Sequence, residues 1–158
     1  MHLIGVISDT HGLLRPEAIE KLAGVERIVH AGDIGRPEIL DQLRDIAPVA
    51  AVRGNNDKGA WAKEIPETQV LDIEGRRLYV LHDVSRLDLD PAAARIAVII
   101  AGHSHRPAAA EKNGVLFLNP GSAGPRRFRL PISVATLHID ATSVRAEIHI
   151  LQSASSSG

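Results

Sequence analysis

Seven side chains of types that bind metal ions occur along this sequence in short, separated groups. They are Asp9, His11, Asp33, Asn55, His82, His103 and His105. Carboxylate, imidazole and carboxamide groups suit divalent cations, and the absence of cysteine leaves no thiolate ligand for a structural zinc site. We therefore expect two divalent metal ions, with Mn2+ as the first candidate and Fe2+, Zn2+, Ni2+ and Mg2+ as alternatives.

Each group of candidate ligands directly follows an apolar run with the character of a buried strand. The runs are 3–7, 27–31, 49–52, 78–81 and 97–101. Ligands at the carboxyl ends of strands lie where an open α/β sheet builds its site. The spacing therefore predicts that all the groups meet along one edge of the fold.

The candidate ligands suggest a hydrolytic chemistry that uses two cations. A carboxylate shared between two cations about 4 Å apart permits a bridging water or hydroxide, which is an in-line nucleophile at neutral pH. Asp33 is our candidate for the shared carboxylate. Asp9 and His11 are two residues apart, as are His103 and His105, and such pairs can divide between two metals.

Each group also has an ordinary structural interpretation. Asp9 alone fits a helix cap, and the segments 33–35 and 55–57 fit turns. Four further histidines without a neighbouring ligand are interpreted as surface or satisfied core residues, namely His2, His30, His138 and His149. Five separate strand ends that each carry ligand-type side chains favour a metal site over turns chosen for geometry alone.

The composition limits the domain organisation and the partners. A chain of 158 residues that is 44% hydrophobic suffices for one domain, predicted at 1–151 and followed by a flexible Ser-rich tail at 152–158. A formal net charge of -1 gives no overall field that favours nucleic acid or an anionic membrane. No secretory signal or membrane span is visible, so we expect a cytoplasmic protein, with homo-oligomerisation left open.

The order of elements predicts an α/β fold. Helices predicted at 15–22 and 37–44 alternate with the first three strands, which favours a parallel sheet. The runs 68–73 and 76–82 alternate about Glu74 and Gly75, which is typical of a tight hairpin. Asp90 and Pro91 fit the start of a short helix, and the further strands are predicted at 96–101, 115–118, 132–139 and 144–151. Two packed mixed sheets flanked by helices accommodate this order.

These groups, in this order, resemble the motifs of a known superfamily. The matching segments are Asp9-Thr10-His11, Gly32-Asp33, Gly54-Asn55-Asn56-Asp57, His82, Gly102-His103-Ser104-His105 and Asn119-Pro120-Gly121-Ser122. They resemble the motifs of the calcineurin-like metallophosphoesterases, and more narrowly of the small YfcE-type phosphodiesterase group. The resemblance implies a four-layer α-β-β-α sandwich with two metals at the strand ends.

The resemblance also implies a division of the ligands between the two metals. Asp9, His11, Asp33 and His105 would hold one metal. Asp33, Asn55, His82 and His103 would hold the other. Asp33 is thus the bridging carboxylate in this assignment, which agrees with the candidate chosen from the chemistry.

One position departs from the superfamily members that cleave phosphomonoesters. Many of those proteins have a histidine directly after the ligand asparagine, where it protonates the leaving group, and this chain has Asn56. Asparagine cannot act as an acid, but it can hydrogen-bond a phosphoryl or leaving oxygen, so Asn56 is our candidate catalytic contact. The resemblance therefore favours a metal-dependent phosphodiesterase acting on a small phosphodiester, with a phosphomonoesterase as an alternative.

A second alternative is a non-catalytic, metal-binding protein-interaction scaffold, since the retromer scaffold subunit resembles this fold but lacks part of the metal set. No ligand position is vacant here, which favours an enzyme. The sequence does not rank Arg53, Arg126 and Arg127 as phosphate contacts. It leaves Asp57 open as a turn residue, a support for the ligands, or both. An aromatic content of 3% supplies few side chains on which bases stack.

Overall fold

The computed structural model describes residues 1–152, which form two five-stranded mixed sheets. The first sheet has the spatial order β10-β9-β1-β2-β3 and contains β1 (His2–Ile7), β2 (Arg27–His30), β3 (Val49–Ala51), β9 (Ile132–Ile139) and β10 (Val144–Gln152). The second sheet has the order β4-β5-β6-β8-β7 and contains β4 (Thr68–Ile73), β5 (Arg76–Leu81), β6 (Ile96–Ile100), β7 (Ala108–Lys112) and β8 (Val115–Asn119). The predicted α/β class with two packed mixed sheets is confirmed.

The first half of the chain is the predicted β-α-β-α-β unit. Strands β1, β2 and β3 pair in parallel and are connected by α1 (Pro16–Leu22) and α2 (Pro37–Arg44). Both helices begin with proline, whose fixed φ suits the first turn and whose missing N–H costs nothing there. Their apolar sides, including Leu22 and Leu43, are buried in the cluster that covers the outer face of the first sheet. These crossovers bring the carboxyl ends of the three strands to one edge.

The main core lies between the two sheets. It combines side chains of the first sheet, such as Val6 and Leu137, with side chains of the second, such as Leu78 and Ile100. Each is at most 1% exposed. Full burial of one such side chain contributes about 1.5 to 3 kcal/mol, so this layer fixes how the two sheets sit on each other.

The outer face of the second sheet is covered by turns. A single 3-10 turn, Val84–Arg86, leads into a segment whose Leu87 and Leu89 pack against the sheet. The predicted helix at Asp90 is wrong. Asp90 does accept hydrogen bonds from the backbone of Ala92 and Ala93, but Arg95 has a positive φ of 59°, and β6 begins directly after it. The segment is too short to propagate a helix.

Three further differences from the predicted elements concern short or terminal segments. A one-turn helix, α3 (Ala60–Lys63), and the edge strand β7 were not predicted. The predicted tail at 152–158 overlaps β10 at Gln152, and the rest of it, 153–158, lies outside the described residues. Within residues 1–152, no helix combines the length and the apolar character that crossing a membrane requires.

Candidate metal centre

The seven candidate ligands lie in loops that follow the carboxyl ends of strands from both sheets. Asp9 and His11 follow β1, and Asp33 follows β2. Asn55 follows β3, His82 directly follows β5, and the pair His103 and His105 follows β6. Both sheets thus contribute loops to one edge, where Asp9, Asp33, His82 and His105 are buried.

Backbone strain is concentrated in these loops. Five candidate ligands have positive φ angles, namely Asp9 (56°), His11 (47°), Asp33 (56°), His103 (72°) and His105 (63°). A left-handed backbone costs a non-glycine residue about 1 to 2 kcal/mol and persists only where surrounding contacts impose it. Strain of this kind clusters at functional sites, and here it turns neighbouring ligand side chains toward one point.

The side chains form two overlapping groups in which the potential ligand atoms lie within 4.8 Å of one another. One group is Asp9, His11 and His105, and the other is Asp9, Asp33 and His82. Asp9 Oδ1 is 3.4 Å from His105 Nε2 and 3.9 Å from His82 Nε2. Asp33 Oδ2 is 3.3 Å from His82 Nε2 and 3.8 Å from His11 Nε2. Asp33 therefore also reaches residues of both groups, and its assignment as the bridge stays a prediction.

Several buried atoms of this cluster have no hydrogen-bond partner. They are Asp9 Oδ1, His11 Nε2, His82 Nε2 and His105 Nδ1. A buried polar atom left unsatisfied costs about 1 to 3 kcal/mol, and native proteins rarely contain several of them together. Carboxylate oxygen and imidazole nitrogen are suitable donors to a divalent cation. The residues present therefore fit a metal centre.

Hydrogen bonding fixes which atom of His82 faces the cluster. Its Nδ1 lies 2.7 Å from the carbonyl oxygen of Ala31, which can only accept, so Nδ1 carries a hydrogen. The other ring nitrogen, Nε2, faces Asp33. An imidazole that donates one N–H to a backbone carbonyl and directs the other nitrogen at a cation is a common arrangement in metal sites.

The electrostatics keep both carboxylates ionised. Burial raises the pKa of Asp9, but His105, His82 and the Ser8 hydroxyl outweigh that effect, and the pKa is lowered. Burial likewise raises the pKa of Asp33, but His82 and the hydrogen bonds from Asn56 outweigh it, and the pKa lies well below its usual range. Two anionic side chains at neutral pH make the pocket attractive to cations.

The pKa values of the neighbouring imidazoles of His11 and His82 are shifted in opposite directions. Burial lowers the pKa of His11. Burial also lowers the pKa of His82, but the carboxylates of Asp33 and Asp9 outweigh it, and the pKa is raised. A cation and a proton compete for the Nε2 atom of His82, which makes metal affinity dependent on pH.

Asn55 and His103 lie at the edge of this cluster, in an adjoining cleft. The cleft has a volume of about 670 Å³, and Asn55, His82 and His103 line it where it meets the cluster. The His103 side chain is 46% exposed, and its ring packs edge-on against His82 with 5.1 Å between centroids. Its backbone N–H donates to Asp9 Oδ2 at 3.1 Å. The structure thus brings five candidate ligands into close contact and places Asn55 and His103 beside them.

Asn56 directs its amide at Asp33. The Asn56 backbone N–H donates to Asp33 Oδ1 at 2.9 Å, and the side-chain Nδ2 donates to Asp33 Oδ2 at 3.0 Å. Asn56 does not line the cleft that Asn55 lines. Its contact with substrate stays a prediction, and its present contacts orient the Asp33 carboxylate.

Asp57 connects two of the ligand loops. Its buried carboxylate accepts three backbone hydrogen bonds, from Ile34 N at 3.1 Å, Gly35 N at 3.0 Å and Gly54 N at 2.9 Å. Two of these donors belong to the loop of Asp33, and the third belongs to the loop of Asn55. The sequence left the role of Asp57 open, and the structure shows that it holds the two loops together.

Asn119 was left out of the sequence-predicted site, but it supports the loop of His103. Its Nδ2 donates to the carbonyl oxygen of Gly102 at 3.0 Å and to Ser104 Oγ at 3.0 Å. Its Oδ1 accepts from Gly121 N at 2.8 Å. The only sequence signal for this role was the resemblance of the segment that begins at Asn119 to a superfamily motif.

His30 is a fully buried histidine whose two ring nitrogens both have partners. Nδ1 accepts from the Gly32 N–H at 3.1 Å, so Nε2 carries the hydrogen and donates to Thr10 Oγ1 at 3.0 Å. Thr10 in turn donates to the carbonyl oxygen of Ile34 at 2.8 Å. This chain of bonds joins the loops of Asp9 and Asp33, and it confirms the interpretation of His30 as a satisfied core residue.

We expect His30 to make stability depend on pH. Burial lowers its pKa from 6.5 to about 4, so the unfolded chain binds the extra proton between these values and the folded chain does not. Stability is therefore retained above pH 6.5 and falls as the pH drops toward 4. Between pH 7 and pH 5 this group removes about 2 kcal/mol from the free energy of unfolding.

Urea denaturation at both pH values, with His30→Gln as the non-titrating comparison, measures this effect. The wild type is expected to lose about 2 kcal/mol more than the variant, because only the wild type gains a proton at residue 30 on unfolding. Equal losses in the two proteins would show that His30 titrates normally in the fold.

Comparison with known proteins identifies the family. The model of the calcineurin-like phosphoesterase superfamily domain matches residues 2–142. The chain belongs to the calcineurin-like phosphoesterase superfamily. The family predicted from the motifs is thereby confirmed.

Individual relatives align with nearly the whole chain. A probable metallophosphoesterase from Methanothermobacter thermautotrophicus is 39% identical, over 92% of this chain and 91% of the relative. Phosphodiesterase YfcE from Escherichia coli K12 is 30% identical, over 88% of this chain and 89% of the relative. The crystal structure of wild-type Vps29 from Entamoeba histolytica complexed with Zn2+ superposes with a TM-score of 0.73 at 25% identity, covering 94% of this chain and 98% of that one.

Proposed function

We propose that this protein is a phosphodiesterase that depends on two divalent cations held by Asp9, His11, Asp33, Asn55, His82, His103 and His105. The observation that carries the proposal is the buried cluster of carboxylates and imidazoles with unpartnered atoms, which adjoins a cleft of about 670 Å³. When bound, two such cations polarise the phosphoryl oxygens and lower the pKa of a water molecule that they share. The relatives named metallophosphoesterase and phosphodiesterase support this chemistry.

The roles of the protein side chains follow from their contacts. Asp9 and Asp33 stay ionised and hold the cations, and the His82 Nε2 atom is directed at them by the hydrogen bond from its Nδ1. Asn56 orients Asp33 through two hydrogen bonds. This arrangement fixes the ligand atoms before substrate arrives, which is how electrostatic catalysis avoids reorganisation during the reaction.

The buried hydroxyl groups around the site support direct attack by water. Ser8 donates its hydroxyl to Asp9 Oδ2 at 2.8 Å, Thr10 donates to Ile34 O, and Ser122 donates to Asp9 O at 3.1 Å. A serine or threonine nucleophile needs an adjacent base that accepts its proton and space for attack. These hydroxyls instead bond to groups that fix the loops, so no covalent intermediate with the protein is part of the proposal.

A diester substrate is favoured over a monoester by position 56. Asn56 has no acidic proton for a leaving group, and its amide already donates to Asp33. A reaction without a general acid is slowed most when the leaving alcohol is a poor one. The native metal in this proposal is Mn2+, and the substrate is a small phosphodiester.

Chromogenic substrates test the proposal. Metal-stripped protein is assayed with bis(p-nitrophenyl) phosphate and with p-nitrophenyl phosphate after addition of Mn2+, Mg2+, Zn2+ or no metal. We expect Mn2+-dependent turnover with a higher kcat/KM for the diester. Preference for the monoester would support a phosphomonoesterase, and silence with every metal despite measured metal binding would support a non-catalytic scaffold.

A further inference from the structure

A tight turn at 127–130 displays an aromatic ring in solvent. The Leu130 N–H donates to the Arg127 carbonyl oxygen at 2.9 Å, and the two central residues, Phe128 and Arg129, have φ angles of 61° and 84°. Two positive φ angles are typical of a type I′ turn, which normally contains glycine or asparagine. Phe128 is 86% exposed. The turn therefore combines a strained backbone with an exposed apolar ring, and neither stabilises the fold.

Within residues 1–152 and outside the loops of the candidate ligands, two other turns have paired positive φ angles, and both differ from this one. Glu74 with Gly75 and Asn113 with Gly114 also have paired positive φ angles, but each pair closes a two-residue hairpin between paired strands. The hydrogen bonds between the paired strands offset the backbone strain in those turns. The turn at Phe128 does not close such a hairpin, so strand pairing does not offset the strain of its backbone. Backbone strain of this kind is common at binding sites.

The residues that precede the turn pack directly on the first metal-ligand loop. Ser122 Oγ donates to the Asp9 carbonyl oxygen at 3.1 Å, and Ala123 N donates to the Ser8 carbonyl oxygen at 3.0 Å. A Cβ atom at Gly124 would clash with the backbone of Asp9 and Thr10. The turn thus starts three residues from a contact with the candidate metal centre.

This edge of the metal centre is rich in guanidinium groups. Arg127 and Arg129 are exposed, and their side chains have no hydrogen-bond or ion-pair partner within residues 1–152. Arg15 donates to the Gly124 carbonyl oxygen at 3.4 Å, and Arg36 donates to the Gly12 carbonyl oxygen at 3.1 Å, which places two more cations beside the same loops. The net charge of -1 averages over the chain and conceals this local positive patch.

An exposed aromatic ring between arginines suits a particular class of ligand. Arginine binds phosphate oxygens through bidentate hydrogen bonds, and an aromatic face stacks with an unpaired base. The cleft on the His82 side is lined by the phenol ring of Tyr79, which is 9% exposed and packs in the core, and by the imidazoles of the candidate ligands His82 and His103. The exposed Phe128 ring at the turn supplies a stacking face that is not part of the candidate metal centre.

We propose that the segment 127–129 binds the phosphates and one base of a short single-stranded oligonucleotide, so that the diester cleaved is an internucleotide linkage. The inference deepens the proposed function and rests on it, because it names the substrate class of the same site. Phe128 supplies the stacking face, and Arg127 and Arg129 supply contacts to the phosphates that flank the stacked base.

Fluorescence anisotropy of a fluorescein-labelled oligothymidylate tests this inference with metal-free protein in a chelating buffer at low salt. Phe128→Asn is expected to weaken binding by about 5- to 150-fold, the loss of one stacked base, while Phe128→Trp retains it. Asparagine tolerates a positive φ better than phenylalanine, so Phe128→Asn is expected to leave the melting temperature unchanged or raise it. A merely structural role of Phe128 would not combine lost binding with retained stability.

Arg127→Ala tests whether the positive charge of Arg127 contributes to oligothymidylate binding. It is expected to weaken binding to every sequence and to reduce the slope of log K against log salt by about 0.7. Arg27→Ala is the matched control, because Arg27 is exposed at the start of β2, at the other end of the strands from the metal centre. It is expected to bind like the wild type.

Three outcomes overturn the proposal. The first is absence of oligothymidylate binding by the wild type at low salt, and the second is wild-type affinity in Phe128→Asn. The third is Phe128-dependent binding to phosphatidylglycerol vesicles without oligothymidylate binding, which would assign the turn to a lipid surface. Because binding is measured without metal, each outcome is independent of the hydrolysis assay that tests the phosphodiesterase proposal.

Discussion

Asp33→Ala is expected to lower the metal-dependent kcat/KM for bis(p-nitrophenyl) phosphate by at least about 1000-fold. Asp33 Oδ2 lies within 4 Å of both His82 and His11, so both proposed cations lose a carboxylate when it is removed. Stabilisation of transition-state charge by bound cations is worth several kcal/mol, and about 4 kcal/mol corresponds to 1000-fold. The loss is expected to appear mainly in kcat.

Two comparisons keep this prediction specific. Asp45→Ala removes an exposed carboxylate at the end of α2 and is expected to keep wild-type activity. Asp33→Asn preserves the shape of the side chain and is expected to lose activity to a similar extent, because the charge is what holds the cations. Near-normal turnover by a folded Asp33→Ala protein that retains its metal would rule out the bridging role.

Asp57→Ala is expected to lower the free energy of unfolding by about 3 to 5 kcal/mol, because three backbone N–H groups, two of them buried, lose their acceptor at once. For a domain of this size, that change lowers the melting temperature by about 6 to 20 °C. The loops of Asp33 and Asn55 would also lose the connection between them. Mn2+ affinity is therefore expected to fall by about 10- to 100-fold, the range found when supporting contacts of metal ligands are removed.

A graded series separates the two effects of Asp57. Asp57→Asn keeps one acceptor oxygen, so its destabilisation is expected to lie between that of the wild type and that of Asp57→Ala. Asp45→Asn makes the same chemical change at an exposed site and is expected to be neutral. Thermal melts and Mn2+ titrations of these proteins measure both quantities. Wild-type stability in Asp57→Ala would show that the loops hold without this carboxylate.

The sequence predicted the elements that carry ligands because two signals coincide there. A run such as Leu3 to Ile7 is apolar enough to be a buried strand, and it ends in ligand-type side chains. Strand β7 was missed because Ala108–Lys112 has low β-propensity and every residue in it is exposed. The Asn113-Gly114 turn after it was a usable signal, since this dipeptide is typical of type I′ hairpins.

Other features of the site depend on long-range contacts that a sequence pattern does not contain. The segment 55–57 fits a turn, and nothing local shows that Asp57 reaches back to Ile34 and Gly35. The three arginines considered as phosphate contacts look alike in sequence. Only the fold distinguishes Arg53 from Arg127, because Arg53 pairs with Glu67 at 2.8 Å while Arg127 is exposed in the turn at 127–130.

Isothermal titration calorimetry of the metal-free protein with Mn2+ tests most directly whether the seven side chains bind two cations in one centre. We predict two Mn2+ ions per chain in the wild type and a clear loss of binding in Asp33→Ala, because residue 33 then provides a ligand to neither ion. No binding to the wild type, or a single Mn2+ that Asp33→Ala leaves unchanged, would contradict a two-cation centre.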